Sequence, residues 1–289
     1  MERLIGLKST EYEHPADKAA LEKLRSNTVF KTVMTEFIHQ GIERIYRIQY
    51  TGSSLKIKKE DYPDIYRALE NAGAALDMHK LPALYLQYYY AINAFTTGKK
   101  EPLVVVNSGT IDLLNEEELQ YIIGHELGHI LSDHVLYHMM VQGLVDFINI
   151  PGKDLIELPL YYWFRMSELT ADRAGLLACQ DLNTAISAMI KMAGLPQSHY
   201  DKINVQAFID QARDFNEKNT GFLDETFKFI AIANSYHPWL VLRAAELLKW
   251  AESGEYERII HDHRAVACSH CGELIAAKSE FCPFCGRKH

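Results

Sequence analysis

Residues Tyr121–His134 read "YIIGHELGHILSDH", a run that is apolar apart from three histidines, a glutamate, a serine and an aspartate. An α-helix turns every 3.6 residues, so His125 and His129 project from one face, about a turn apart. Two ring nitrogens at that spacing can converge on one Zn²⁺. Glu126 follows the first histidine directly, close enough to bind a water held by the ion without ligating the ion itself. With 13 histidines in 289 residues, an H-E-x-x-H by chance is rare but real, so the surroundings must decide.

Just upstream, Asn115 with Glu118 makes a capping-box pattern ahead of an apolar-periodic run, which places the whole stretch on one helix. Ile122, Ile123, Leu127 and Ile130 are then packing residues. Gly124 and Gly128 keep the helix surface low beside the metal or a packed neighbour. His134 falls about 140° round the axis from His129. It is expected to be structural, with a hydrogen bond near the site as one option, and His138 to be a core or surface residue; neither is a ligand on this reading.

A catalytic zinc takes three protein ligands and leaves its fourth position to water. Glu168, in "SELTADRAG" (Ser167–Gly175), is a suitable third ligand on an expected helix. Asp172, one turn on, can accept the free N–H of a ligand histidine and fix its tautomer. The competing reading is an exposed charge face of Glu168, Asp172 and Arg173; the histidine pair upstream tips the choice to the metal.

The rest of the chain is that of an ordinary globular protein, 48% hydrophobic and 24% charged. A net charge of -8 argues against nucleic acid or anionic membrane as the main partner. No apolar run reaches the 18 or so residues of a spanning helix: His138, Gln142 and Asp146 interrupt Val135–Ile150, and Glu157 and Pro159 interrupt Leu155–Met166. The opening "MERLIGLKSTEYEHP" has no apolar signal core. A cytoplasmic chain without a membrane span is expected.

Periodicity predicts helices over His14–Ser26, Asp64–Met78 and Met166–Gly194, and one beginning near Pro238. It predicts a short strand in Ser54–Pro63 and an antiparallel hairpin pairing Ile92–Thr96 with Leu103–Asn107. "LPLYYWFRM" (Leu158–Met166) reads as core rather than a lipid- or substrate-facing patch. The polar stretch Glu252–Ala265 is the best linker, dividing the chain into residues 1–265 and 266–289.

Four of the five cysteines lie in the second part, as "CSHCG" and "CPFCG". Two C-x-x-C-G knuckles, each with glycine where the backbone turns back toward the thiolates, indicate a closed structural zinc on Cys268, Cys271, Cys282 and Cys285. A redox C-x-x-C is the weaker alternative. So short a segment cannot fold by apolar burial alone, so the metal must stabilise it. Its few basic residues, Lys278, Arg287 and Lys288, make a protein partner the better expectation than nucleic acid. Cys179 is read as a buried helix residue.

"GHELGHILSDH" followed by "SELTADRAG" resembles the Ste24/HtpX-type metallopeptidases, family M48 of the gluzincins. The approach "AINAF…G…EPLVVVNSGTIDLLNEEELQYIIGHELGH" and the later "SYHPWLVLR" are similar to that family's edge strand and histidine–proline motif. The resemblance spans about Glu13 to Trp250. It implies that His125, His129 and Glu168 ligate zinc, that Glu126 is the general base, and that Asp172 supports a ligand histidine. It further implies that the strand through Asn93 and Ala94 pairs with an extended substrate backbone. His237 would stabilise the oxyanion with Arg243 nearby. Left to the residues alone, His237 could equally cap its helix, and Asn93 could be a turn residue.

The fold expected is α+β: a mostly helical gluzincin-type metallopeptidase domain with a small antiparallel sheet, plus a C-terminal zinc ribbon. The function expected is a zinc endopeptidase cleaving protein or peptide substrates with a zinc-activated water and a glutamate base, holding one catalytic and one structural zinc. The alternative is a latent or weakly active zinc-holding, chaperone-like peptide binder whose ribbon recruits protein partners.

Overall fold

A computed structural model describes residues 2–39, 41–146, 154–218 and 238–288. The helices in chain order are α1 (Pro15–Ser26), α2 (Thr28–His39), α3 (Ile42–Ser53), α4 (Pro63–Ala75), α5 (Ser108–Leu113), α6 (Glu116–Leu131), α7 (Val135–Asp146), α8 (Asp154–Cys179), α9 (Leu182–Met192), α10 (Val205–Lys218), α11 (Leu240–Glu252) and α12 (Glu255–His263). Strands β1 (Leu55–Ile57), β2 (Ala83–Gln87), β3 (Ala94–Thr97) and β4 (Leu103–Asn107) form one sheet; β5 (Ala265–Ala267) and β6 (Leu274–Ala276) form another. The mostly helical α+β character is as expected.

Strand order is β1-β2-β4-β3. The hairpin is present, with Ala94 opposite Val106 and Thr97 opposite Leu103. The sheet is mixed, however, because β2 pairs with β4 in parallel. No separate strand was expected at Ala83–Gln87. The reason for a separate strand lies in β4, whose five residues are all buried; a buried central strand needs a ladder on both edges, and β3 supplies only one.

Asn115 caps α6 as read: its side chain accepts from the Glu118 amide and the Glu118 carboxylate accepts from the Asn115 amide. The helix ends at Leu131, sooner than the histidine run suggests. α8 begins earlier than expected and contains Pro159. That residue cannot donate to the helix ladder, but Leu160, Trp163 and Phe164 beside it are buried and hold the turn in place. "LPLYYWFRM" is thus largely core, with Leu158 and Tyr162 facing out. α11 starts at Leu240, after Trp239 as N-cap, two residues later than Pro238 indicated. The polar linker stretch is mostly the helix α12, with Ile259 and His263 buried.

Two apolar clusters flank the centre of the molecule. One joins α4, the inner face of the sheet, α6, α9, α11 and the C-terminal half of α8. The other joins α1, α2, α3, α7 and the first half of α8 around Trp163. α6 and α8 run between them, and the functional side chains sit on these two helices.

Candidate active site

Small residues set how closely α6 and α8 approach. A Cβ on Gly124 would lie 2.2 Å from that of Ala178, one on Gly128 2.5 Å from that of Ala174, and one on Gly175 2.8 Å from the Tyr121 ring. The glycines therefore keep the surface low for a packed neighbour. Near-backbone packing holds Glu168 and Asp172, one turn apart on α8, against His125 and His129, one turn apart on α6.

His125 Nε2 lies 3.2 Å from His129 Nε2. The Glu168 carboxylate is 3.5 Å from the first ring and 3.3 Å from the second. One donor atom from each of the three lies within 4.8 Å of the others, and all three residues are buried. Two imidazole nitrogens and a carboxylate converging on one point fit a zinc ion with one coordination position left open.

Behind the donors is a polar brace. His125 Nδ1 is 3.0 Å from Asp172 Oδ1, which also accepts from the Tyr121 hydroxyl at 2.8 Å. Arg243, buried on α11, donates to both Asp172 oxygens at 2.8 and 2.6 Å and reaches Glu168 at 3.2 Å. Burial alone would raise the Asp172 carboxyl, but Arg243 and His125 outweigh it and hold it at about 2. Burial disfavours a charged His125 ring, yet Asp172 and Glu168 push it up to about 9. At His129 burial prevails, aided by the positive neighbour His125, and lowers the ring to about 4.

Glu126 faces a cleft of ≈ 540 Å³ that His125, His129, Glu168, Asn93, Ala94 and Trp239 help to line. Thr96 Oγ1 donates to its Oε2 at 2.8 Å, orienting the carboxylate. β3 has no further strand on its outer side among the described residues. The Asn107 amide donates to the Asn93 carbonyl. Antiparallel alternation then turns the peptide groups of Ala94 and Thr96 to the open edge. The Asn93 amide is tied inward to Thr110 Oγ1 at 2.8 Å. His237 lies outside the described residues. Arg243 lines the cleft wall, but its guanidinium is taken up by Asp172 and Glu168.

The assumption of one continuous helix misplaced the last histidines. Asp133 adopts φ 58, its amide donates to Ile130 O, and the His134 amide donates to His129 O. These are the paired bonds of a Schellman stop, which brings the residue after the left-handed one back onto the helix. The His134 side chain therefore returns to His129, Nδ1 to Nδ1 at 3.1 Å. The His138 ring lies 4.3 Å from that of His129 and stacks on Phe164. Sequence patterns missed Thr96 and Tyr121; the hydrogen bond of His134 near the site, one option read for it, is present.

In the C-terminal segment the four cysteine sulfurs lie within 4.8 Å of one another. The two knuckles match bond for bond: the Gly272 amide donates to Cys268 O and the Gly286 amide to Cys282 O, both at 2.9 Å. Both glycines have positive φ, 78 and 72, as the C-x-x-C-G pattern requires. Amides of Cys271 and His270 hold the Cys268 thiol below its ordinary range. The fifth cysteine, Cys179, is half-buried at the end of α8, and burial pushes its thiol up to about 12.

Among the described residues no helix is long and apolar enough to cross a membrane. The pattern of Peptidase family M48 matches residues 60–152. The plastoglobule-localized metallopeptidase 48, chloroplastic, of Arabidopsis thaliana is 31% identical over 263 residues, 88% of this chain and 76% of that protein. A protease HtpX homolog of Dictyoglomus thermophilum is 30% identical over 146 residues, 49% of this chain and 48% of its own length. Protease HtpX of Acinetobacter baumannii is 37% identical over 59 residues, 20% of each chain. No solved structure matches. The metal-type donor cluster beside an open strand edge and a relative aligned along most of both chains lead to one assignment: the chain belongs to peptidase family M48, a family of metallopeptidases.

Proposed function

We propose that this protein is a zinc-dependent endopeptidase, with residues 1–265 as its catalytic domain and 266–289 as a zinc ribbon. The observation that carries this is the convergence of His125, His129 and Glu168 at a cleft shared by Glu126 and the open edge of β3.

His125, His129 and Glu168 would hold the ion, which when bound acidifies a water and polarises the scissile carbonyl. Glu126, oriented by Thr96, takes the water's proton and returns it to the leaving amine. The substrate backbone adds alongside β3 at Asn93 and Ala94, with the outward peptide groups of Ala94 and Thr96 as partners. His237 is assigned to the oxyanion, with Arg243 contributing positive charge near it while bracing Asp172 and Glu168. Asp172 fixes the His125 tautomer. Cys268, Cys271, Cys282 and Cys285 would hold a second, structural zinc.

The substrate class is protein or peptide. On the ribbon, Leu274, Phe281 and Phe284 face out, and Lys278 is tied to Glu11; this supports a protein partner there over nucleic acid. The thiol cluster calls for a reducing compartment, and the cytoplasm is the setting we assign. The plastoglobule location belongs to the Arabidopsis relative's name.

The rival reading, a latent or chaperone-like peptide binder, is separated by one experiment. Metal analysis should find two zinc ions per chain, and an unfolded protein substrate should be cleaved. Glu126→Gln should lower cleavage by about 10²–10⁴-fold with both ions retained. Full activity in Glu126→Gln would sink the mechanism, and a zinc-loaded wild type that cleaves nothing would favour the rival.

A further inference from the structure

The two histidines of the α6 pair are braced differently from behind. His125 rests directly on a carboxylate, Asp172. His129 rests on another histidine, and that histidine rests on a carboxylate from the far end of the chain. His134 is fully buried and its Nε2 lies 3.1 Å from Asp17 Oδ2, a bent contact rather than a linear hydrogen bond. Asp17, on α1, is likewise fully buried. Its Oδ1 accepts from Trp163 Nε1 at 2.8 Å and its Oδ2 from Thr170 Oγ1 at 2.6 Å. Nothing in the zinc reading so far uses Asp17 or His134, and Asp17 lies outside the residues 60–152 that match the family pattern.

We propose that Asp17 and His134 are positioning residues that fix the tautomer and ring orientation of His129 through a chain from Asp17 to His134 to His129. The inference rests on reading His129 as a metal ligand. Its chemistry follows from proton placement. A carboxylate oxygen 3.1 Å from His134 Nε2 tolerates an N–H there and repels a lone pair, so the His134 proton sits on Nε2. Nδ1 of His134 is then an acceptor, and His129 must place its own proton on Nδ1 to donate to it. That leaves the lone pair of His129 on Nε2, the atom facing His125 and Glu168. The Schellman stop at Asp133 supplies the geometry, since it sets residue 134 against residue 129 by backbone bonds as well.

The same rings admit one other use. His129, His134 and His138 also bring ligand atoms within 4.8 Å of one another, as a second metal site would. The structure favours the relay. His138 Nε2 is 2.8 Å from Ser167 Oγ and its ring is stacked on Phe164. An ion on His129 Nδ1 would also require that ring to bind metal through both nitrogens at once.

The test uses the full chain and reads zinc affinity by chelator competition and the visible spectrum of the Co²⁺-substituted protein. Asp17→Asn and His134→Leu should each weaken zinc binding at the His125/His129/Glu168 site by about 10–100-fold and shift the Co²⁺ spectrum, with the ribbon ion unaffected. The double variant should lose no more than the worse single, because both act through one chain. His134→Gln, which keeps an acceptor toward His129 and a donor toward Asp17, should recover most of the loss. That recovery separates positioning from a general folding defect. Unchanged affinity and spectrum in both singles, or losses that multiply in the double, would overturn the relay. A third zinc per chain that disappears in His134→Gln would overturn it in favour of the second metal site. A wild type that binds only the ribbon ion would overturn the zinc reading itself, and this inference with it.

Discussion

The ribbon and the helix-pair site both gather metal-binding side chains, and they do it by opposite means. In the ribbon, Cys268 to Cys285 are brought together by two identical backbone turns, with little apolar burial beneath them beyond Ile275 and Val266. In the helix pair, donors from distant parts of the chain are brought together by packing, and burial does nearly all the work. A site made by local turns depends on its metal for its shape. A site made by packing has its shape first and offers it to the metal.

The largest effect expected from that contrast is local. Cys285→Ser should abolish ribbon zinc, and with it the protection of the Cys268, Gly272, Cys282 and Gly286 amides from hydrogen exchange, because in such a segment metal binding is the folding free energy. The helix-pair zinc and hydrolysis should remain. Loss of both ions together would break the comparison, since it would show one cooperative unit rather than two.

In the helix pair the corresponding weak point is charge, not metal. Arg243→Met removes the cation from two buried carboxylates, and breaking a buried pair from one side costs about 3–5 kcal/mol. Chemical denaturation of the metal-free protein should show this. Adding Asp172→Asn should recover much of it, since the stranded charge is then gone. An Arg243→Met protein as stable as wild type would mean that the brace does not hold the site open without metal.

Packing comes next. Gly128→Ala places a Cβ 2.5 Å from Ala174 Cβ, and forcing a methyl into a filled contact costs about 1–3 kcal/mol. Helix-pair zinc affinity should fall while ribbon zinc stays constant. If both the thermal midpoint and the zinc affinity are unchanged, the close approach of α6 to α8 is not what aligns Glu168 with the histidines.

The same contrast explains what could be read from the amino-acid order. The cysteine cluster and its turns were legible, because a C-x-x-C-G knuckle states its own backbone. His125 and His129 were legible as one face of a capped helix with Glu126 directly after the first, and Glu168 with Asp172 as a second pair of the same spacing. What could not be read were contacts that exist only through tertiary packing. Arg243 was expected beside the oxyanion, and its bidentate hold on Asp172 depends on where α11 lies. His134 was read as structural with a hydrogen bond near the site as one option, but its partner His129 could not be read. A continuous helix turns the side chain away, and a single left-handed residue, Asp133, reverses that. β2 was not expected as a separate strand, because strand order in a mixed sheet depends on which edge of β4 lacks a partner. The role of His237 remains an expectation from its motif, as it lies outside the described residues.

The smallest effect concerns the seam between the two regions. The ribbon is not an isolated bead. The Ala265 amide donates to Arg3 O and the Ile5 amide to His263 O. Lys278 Nζ donates to Glu11 Oε1 at 2.8 Å and lies 2.7 Å from His263 Nε2, itself 3.0 Å from the same Glu11 oxygen. Burial pushes the Glu11 carboxyl up, but Lys278, the Lys8 amide and His263 outweigh it and bring it from 4.5 down to about 2. A depressed folded-state value means that the ionised form favours the docked state. The contribution is therefore complete above about pH 4.5 and is lost as the pH falls through about 2. The pair is partly exposed, so its worth is about 0–1 kcal/mol, a few-fold at most in the opening equilibrium. Hydrogen exchange at the Ala265 amide should be faster in Glu11→Gln than in wild type by a constant factor from pH 7 to about 5, and that factor should shrink as the pH drops further. Comparing the two proteins at each pH cancels the loss of ribbon zinc that acid causes in both. A difference that stays constant at low pH would show that Glu11 holds the seam by packing alone, unlike the helix pair, where the Arg243 charge braces two buried carboxylates.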